Sequence, residues 1–140
     1  MKTLFAASAV ALATVFACGS ANAAPYQAQV LIGNFVCQSA WCTANFPAVP
    51  SGKTLTVTNV SCIFTASSFI DAQIQYPVGS KIYYQGLALE WQRPNGGMSN
   101  ATFGKDNIRF QVEAGKRPSA VIQIGGSLAG AHCELWGDLT

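Results

Sequence analysis

The residues of this chain that could carry chemistry are few, and they begin with a single histidine. His132 stands two residues before Glu134 and four before Trp136. Alternate side chains of an extended strand share a face, so these three would form one small acid–base or metal-binding patch. One imidazole and one carboxylate fall short of the three protein ligands of a catalytic zinc centre, and a blue-copper centre needs two histidines with a thiolate. The expectation is therefore a solvated stripe, with no metal and no cofactor. A nucleophile–histidine site would also have to be built on His132, and its neighbour Cys133 is better accounted for as half of a disulfide. Six carboxylates are available for paired acid–base work, and nothing in the spacing of Asp71, Glu90, Asp106, Glu113, Glu134 and Asp138 singles out a pair. Gly97 to Lys105 is superficially a phosphate loop, but Ser99 stands where G-x4-G-K requires its first glycine.

Aromatic residues are the stronger lead. Trp41, Trp136, Tyr83 and Tyr84 are large flat groups with polar handles, suited to stacking on sugar rings or anchoring a protein partner. Trp91 belongs to the alternating set Tyr83, Gln85, Leu87, Leu89, Trp91, which reads as largely buried, so its expected place is the core. Trp41 falls in Gln38-Ser39-Ala40-Trp41, a segment that reads as a loop between Cys37 and Cys42. Rigid display there would cost little entropy on binding, and packing over a sheet edge is the equal alternative.

The elements that must position these groups follow an N-terminal leader. Lys2 precedes an apolar run from Leu4 to Ala17 without acidic residues, and Ala21 and Ala23 frame an A-x-A cleavage site. The run is shorter than the ~20 residues a bilayer span needs. The expected organisation is a signal peptide over 1–23 and one domain over 24–140, secreted or periplasmic, with no membrane span in the mature chain. Val15-Phe16-Ala17-Cys18 is similar to a lipobox except at Phe16, where a small residue is expected, so a form lipid-anchored through Cys18 is the alternative.

Beyond the leader lie Cys37, Cys42, Cys62 and Cys133, an even set in a short exported chain, which reads as a disulfide framework. Four cysteines allow three connectivities, and spacing does not choose among them. The favoured one joins Cys37 to Cys42 around the presumed loop and Cys62 to Cys133, each of which alternates with the apolar set of a strand-like segment. The paired C-x2-C spacings of a zinc site and the C-x-x-C of a redox centre are both missing.

Eight Lys and Arg, less Lys2 in the leader, leave seven against six Asp and Glu, scattered singly except for Lys116-Arg117. This is no electrostatic footprint for nucleic acid or an anionic membrane. Asn59-Val60-Ser61 and Asn100-Ala101-Thr102 match the N-glycosylation pattern, which carries little weight behind a leader of bacterial type.

Period-two alternation dominates the rest. Ile108, Phe110 and Val112 oppose Arg109, Gln111 and Glu113; Val60, Cys62 and Phe64 share a face; Ala120 to Ile124 is β-branched; Cys133, Leu135 and Leu139 alternate with polar neighbours. Ser68 to Tyr76 opens with a residue of helix-cap type, yet Ile70, Ala72, Ile74 and Tyr76 alternate strictly with Asp71, Gln73 and Gln75, which indicates a strand. With Tyr26–Val36 and Lys81–Gln92, about eight strands result, separated by turn-formers such as Pro94-Asn95-Gly96-Gly97 and Gly125-Gly126. The expected fold is all-β, a single antiparallel β-sandwich of jelly-roll-like or Ig-like kind.

Val49-Pro50-Ser51-Gly52-Lys53 leading to Val60-Ser61-Cys62, Glu113 to Pro118, and Cys133-Glu134-Leu135-Trp136-Gly137-Asp138-Leu139 resemble small exported, uncharacterised bacterial β-sandwich proteins. The resemblance spans most of the mature chain and implies fold and compartment, with no activity. The function expected from all this is an exported, non-catalytic binding or surface-interaction module, with a glycan or a protein at the cell surface as partner. Its rivals are a structural subunit of the cell envelope, with homo-oligomers, and a secreted hydrolase of unrecognised type.

Overall fold

The computed structural model describes residues 23–140. The expected leader, apart from Ala23, and the alternative anchor at Cys18 lie outside the described residues. The described residues form two antiparallel sheets from eleven strands: β1 (Ala24–Leu31), β2 (Val36–Gln38), β3 (Trp41–Asn45), β4 (Leu55–Ala66), β5 (Phe69–Val78), β6 (Lys81–Gly86), β7 (Ala88–Asn95), β8 (Met98–Lys105), β9 (Phe110–Val112), β10 (Ser119–Ile124) and β11 (Leu128–Leu139). One sheet runs β1-β11-β4-β8-β7, with β9 pairing the start of β4; the other runs β2-β3-β10-β5-β6. Among the described residues no helix is long and apolar enough to cross a membrane.

Eleven strands replace the expected eight or so, for local reasons that include the strand at Trp41–Asn45, where no strand was expected, and three others. A 3-10 turn at Ile32–Asn34, where the Leu31 N–H donates to Asn34 Oδ1, divides the segment Tyr26–Val36 between the two sheets. The run Lys81–Gln92 breaks at Leu87, whose N–H donates to the Ala72 carbonyl, so that β6 ends in one sheet and β7 begins in the other. The segment after Gly97 is itself a strand. It forms a hairpin with β7 through Gly96 and Gly97, whose φ values of 55° and 87° are open to glycine at no steric cost.

The break at Leu87 also overturns the expected burial of Trp91. β6 and β7 are each the edge strand of their sheet, with a single pairing neighbour to cover them. Leu87 alone of the alternating set is buried; Trp91 is 46% exposed, and the Arg93 guanidinium lies 5.4 Å from its ring centroid. Gln38-Ser39-Ala40-Trp41 is likewise no loop. Ser39, at φ 56°, and Ala40 form a two-residue hairpin turn, and Trp41 is the first residue of β3. Cys37 and Cys42 face each other across this hairpin and are bonded, as are Cys62 and Cys133 across β4 and β11.

Alternation explains most of the core and a bulge explains the rest. In β4 the buried residues are Leu55 and Val57, then Val60, Cys62, Phe64 and Ala66. The parity changes because Trp136 pairs with Asn59 while Gly137 pairs with Val57, leaving Thr58 unpaired between them. Both sheets contribute to one hydrophobic cluster. Phe64 and Phe103 of the larger sheet meet edge-on at 6.0 Å, Phe103 meets Phe69 of the smaller sheet at 5.7 Å, and Tyr76 stacks on Phe110 at 3.9 Å.

Candidate functional site

The outer face of the five-stranded sheet is set by what its strands bury. Cys42, Ala44, Ala72, Ile74, Ala120 and Ile122 point into the core, so their alternates point to solvent. Register then fixes the rows. Trp41 lies beside Gln123 and Asp71; Thr43 beside Val121 and Gln73; Asn45 beside Ser119, Gln75 and Tyr84. Trp41 (39% exposed) and Tyr84 (60% exposed) therefore occupy opposite corners of a four-strand platform. Three strand spacings across and four residues along put their Cα atoms roughly 20 Å apart.

Between these corners lies a shallow groove of about 280 Å3, lined by Trp41, Thr43, Gln73, Gln75, Tyr84 and Val121. Val121 is only 3% exposed yet stands outside the core cluster, because the surrounding outer-face side chains close over it. The lining thus combines two aromatic faces, two carboxamides, a hydroxyl and an apolar floor, with no charged side chain. Carboxamides both donate and accept hydrogen bonds, and sugar hydroxyls do the same. At the margin Ser119 Oγ donates to Asn45 Oδ1 at 2.6 Å, which fixes the adjacent carboxamide.

A second groove, of about 530 Å3, lies on the outer face of the six-stranded sheet, lined by Asn59, Val60, Ser61, Glu90, Asp106 and Trp136. Two bulges shape it. Thr58 bulges beside the Asn59–Trp136 pair, and Thr58 Oγ1 donates to the Trp136 carbonyl at 3.3 Å. Glu90 bulges between Leu89, opposite Phe103, and Trp91, opposite Thr102. A bulge re-aims its side chain, and the Glu90 carboxylate lies against Gly104, where a Cβ would overlap its carboxyl group. Asn59 Nδ2 donates to Asp106 Oδ1 at 2.7 Å and orients that second carboxylate.

The structure therefore distributes the four aromatic candidates unevenly. Trp41 and Tyr84 line one groove, Trp136 lines another on the opposite sheet, and Tyr83 lines neither, stacking instead on Tyr76 at 5.9 Å. His132 Nε2 lies 3.2 Å from Glu134 Oε1, outside hydrogen-bond geometry, and the pair borders a smaller hollow with Ser61 and Ile63. Among the described residues no group of three or more His, Cys, Asp or Glu is placed to hold a metal ion. Sequence reasoning missed the floor residues Thr43, Gln73, Gln75 and Val121. The alternation placed Gln73 and Gln75 on one face, but not the strands beside them. It also left Glu90 and Asp106 unpaired, because their meeting depends on a bulge and a glycine on different strands.

Searches against protein-family models, curated proteins and solved structures find no match to this chain.

Proposed function

We propose that the protein is an exported, non-catalytic binding module, built as a β-sandwich of jelly-roll-like or Ig-like kind, that takes a neutral glycan on the outer face of its five-stranded sheet. The observation that carries this reading is the joint exposure of Trp41 and Tyr84 around a groove whose other linings are carboxamides, a hydroxyl and an aliphatic floor. Sugar rings present apolar faces that stack on aromatic rings and hydroxyl edges that pair with amides. The uncharged lining suits a neutral chain. The diagonal of roughly 20 Å suits several consecutive sugar units rather than one, since each strand spacing is only about 4.8 Å. The cross-strand Cys37–Cys42 bond holds the hairpin that carries Trp41, so the platform is formed before ligand arrives and little ordering entropy is lost on binding. Two disulfides are compatible with the extracellular or periplasmic address that this function requires.

Affinity electrophoresis through gels containing a panel of neutral soluble polysaccharides tests the proposal. At least one is expected to retard the protein. Trp41→Ala and Tyr84→Ala are each expected to weaken that retention about two- to tenfold, the loss of roughly 0.5–1.5 kcal/mol for an aromatic stacking contact. Both side chains are exposed, so the variants are expected to unfold at the wild-type midpoint. Retention by no member of the panel, or retention unchanged in both variants, contradicts the proposal.

A further inference from the structure

The groove on the six-stranded sheet has a different chemistry from the Trp41–Tyr84 platform. Trp136 lines it beside two carboxylates, Glu90 and Asp106. The ion-pair contact among the described residues is His132 with Glu134, so neither Glu90 nor Asp106 is held by a lysine or arginine. Lys105 adjoins Asp106 in sequence but pairs with Val60, on the parity of the buried Phe103, and so projects from the other side of its strand. Two carboxylates with no cation of the protein's own thus share a cavity with an indole.

The backbone is shaped to bring them there. Glu90 is the extra residue of a bulge in an edge strand, and Gly104 on the neighbouring strand leaves open the space its carboxyl group occupies. On the far side the Thr58 bulge sets Asn59 opposite Trp136, and Asn59 spends its amide on Asp106. Both irregularities border one cavity. An indole face attracts a cation through its quadrupole, and a carboxylate makes charge-assisted hydrogen bonds to N–H donors.

We infer that this groove is a second binding site, which recognises a ligand through an ammonium group set between Glu90, Asp106 and the indole of Trp136. The site goes beyond the glycan reading and does not depend on it, because the two grooves lie on different sheets and share no residue. An amino sugar offers both the cationic charge and the N–H donors, whereas a quaternary ammonium such as choline offers the charge alone, and the test separates them.

Three probes are titrated into the exported protein while backbone and indole N–H chemical shifts are followed: a β-1,4-linked glucosamine tetramer, its N-acetylated counterpart and choline. Saturable shifts at Asn59, Ser61 and the Trp136 indole are expected with at least one ammonium probe. The acetylated tetramer, which lacks the charge, is expected to bind the groove about tenfold or more weakly, as are Glu90→Gln and Asp106→Asn with the charged probe. Gly104→Ala keeps every charge but fills the space of the Glu90 carboxyl, and is expected to weaken binding as well. Trp41→Ala is expected to leave these titrations unchanged while it weakens retention on neutral glycan, so failure of one site is distinguishable from failure of the other. Response to both charged probes shows that the cationic charge suffices; response to the tetramer alone identifies an amino sugar whose N–H donors are needed. The inference is overturned if neither charged probe gives saturable shifts at the groove, if the acetylated tetramer binds there equally well, or if Glu90→Gln binds with wild-type affinity in a folded protein. Cleavage of the tetramer into shorter products also overturns it, in favour of a hydrolase.

Discussion

Replacing Cys62 and Cys133 together by alanine is expected to lower unfolding stability by about 4 kcal/mol, the loop-closure entropy released when a bridge spanning about 70 residues is removed. The two residues are 71 apart in sequence and directly opposed at the centre of the β4–β11 pairing, with both side chains fully buried. Domains of this size are stable by about 5–15 kcal/mol, so the loss is a large fraction of the whole. The same relation gives only about 2 kcal/mol for Cys37 and Cys42, five residues apart, and their replacement is expected to act more on the Trp41 hairpin than on global stability. Urea unfolding of the two double variants beside wild type makes the comparison. Equal losses, or a smaller loss for the long-range pair, would show that the native state rather than the unfolded chain sets the contribution.

Phe64→Ala is expected to cost about 3–5 kcal/mol, the usual range for a large core aromatic. Phe64 is 1% exposed and meets Phe35 at 5.9 Å and Phe103 at 6.0 Å, both edge-on. Its lateral neighbours in the sheet are Ala131 on β11 and Ala101 on β8. A third alanine between these two would leave neither lateral neighbour long enough to fill the space, so the cavity is expected to persist and the cost to fall in the upper half of the range. Phe64→Leu, which keeps most of the volume, is expected to recover more than half of the loss. The unfolding midpoints of the two variants check this, and a Phe64→Ala loss below about 1 kcal/mol would mean that the two sheets do not pack on this ring.

The parts of this architecture that were legible in the sequence are those governed by local alternation. Val60, Cys62 and Phe64 share an inward face, as do Ala72 with Ile74 and Cys133 with Leu135, and side-chain parity follows directly from the pleat. The same parity directs Cys62 and Cys133 inward, and the register sets them opposite one another. What alternation cannot carry is its own interruption. Thr58 shifts the parity of β4, Leu87 passes the chain from one sheet to the other, and Glu90 bulges out of β7. None of these residues is of a type that announces a break. The misplaced Trp91 follows from reading one continuous strand across Leu87. The two-residue turn at Ser39–Ala40 lacks the Asn-Gly or Gly-X signal of a tight hairpin, so Trp41 read as a loop residue.

Site residues were harder to read than core residues for a related reason. Trp41 and Tyr84 lie more than forty positions apart in sequence and share one face only because β3, β10, β5 and β6 stand side by side in that order. Strand order across a sheet is set by long-range pairing, which the period of two leaves undetermined. Of the four aromatic candidates, Trp41 and Tyr84 line this groove. The carboxamide floor became visible only once Gln73 and Gln75 had Thr43, Val121 and Tyr84 as neighbours.

The central claim is that the Trp41–Tyr84 platform receives a neutral glycan, and chemical-shift mapping with the polysaccharide fragment that retards the protein best tests it most directly. The expected result is a contiguous set of shifts at Trp41, Thr43, Gln73, Gln75, Tyr84 and Val121, with the six-stranded sheet unmoved. Shifts confined to the opposite sheet, or scattered with no focus on these residues, would contradict it.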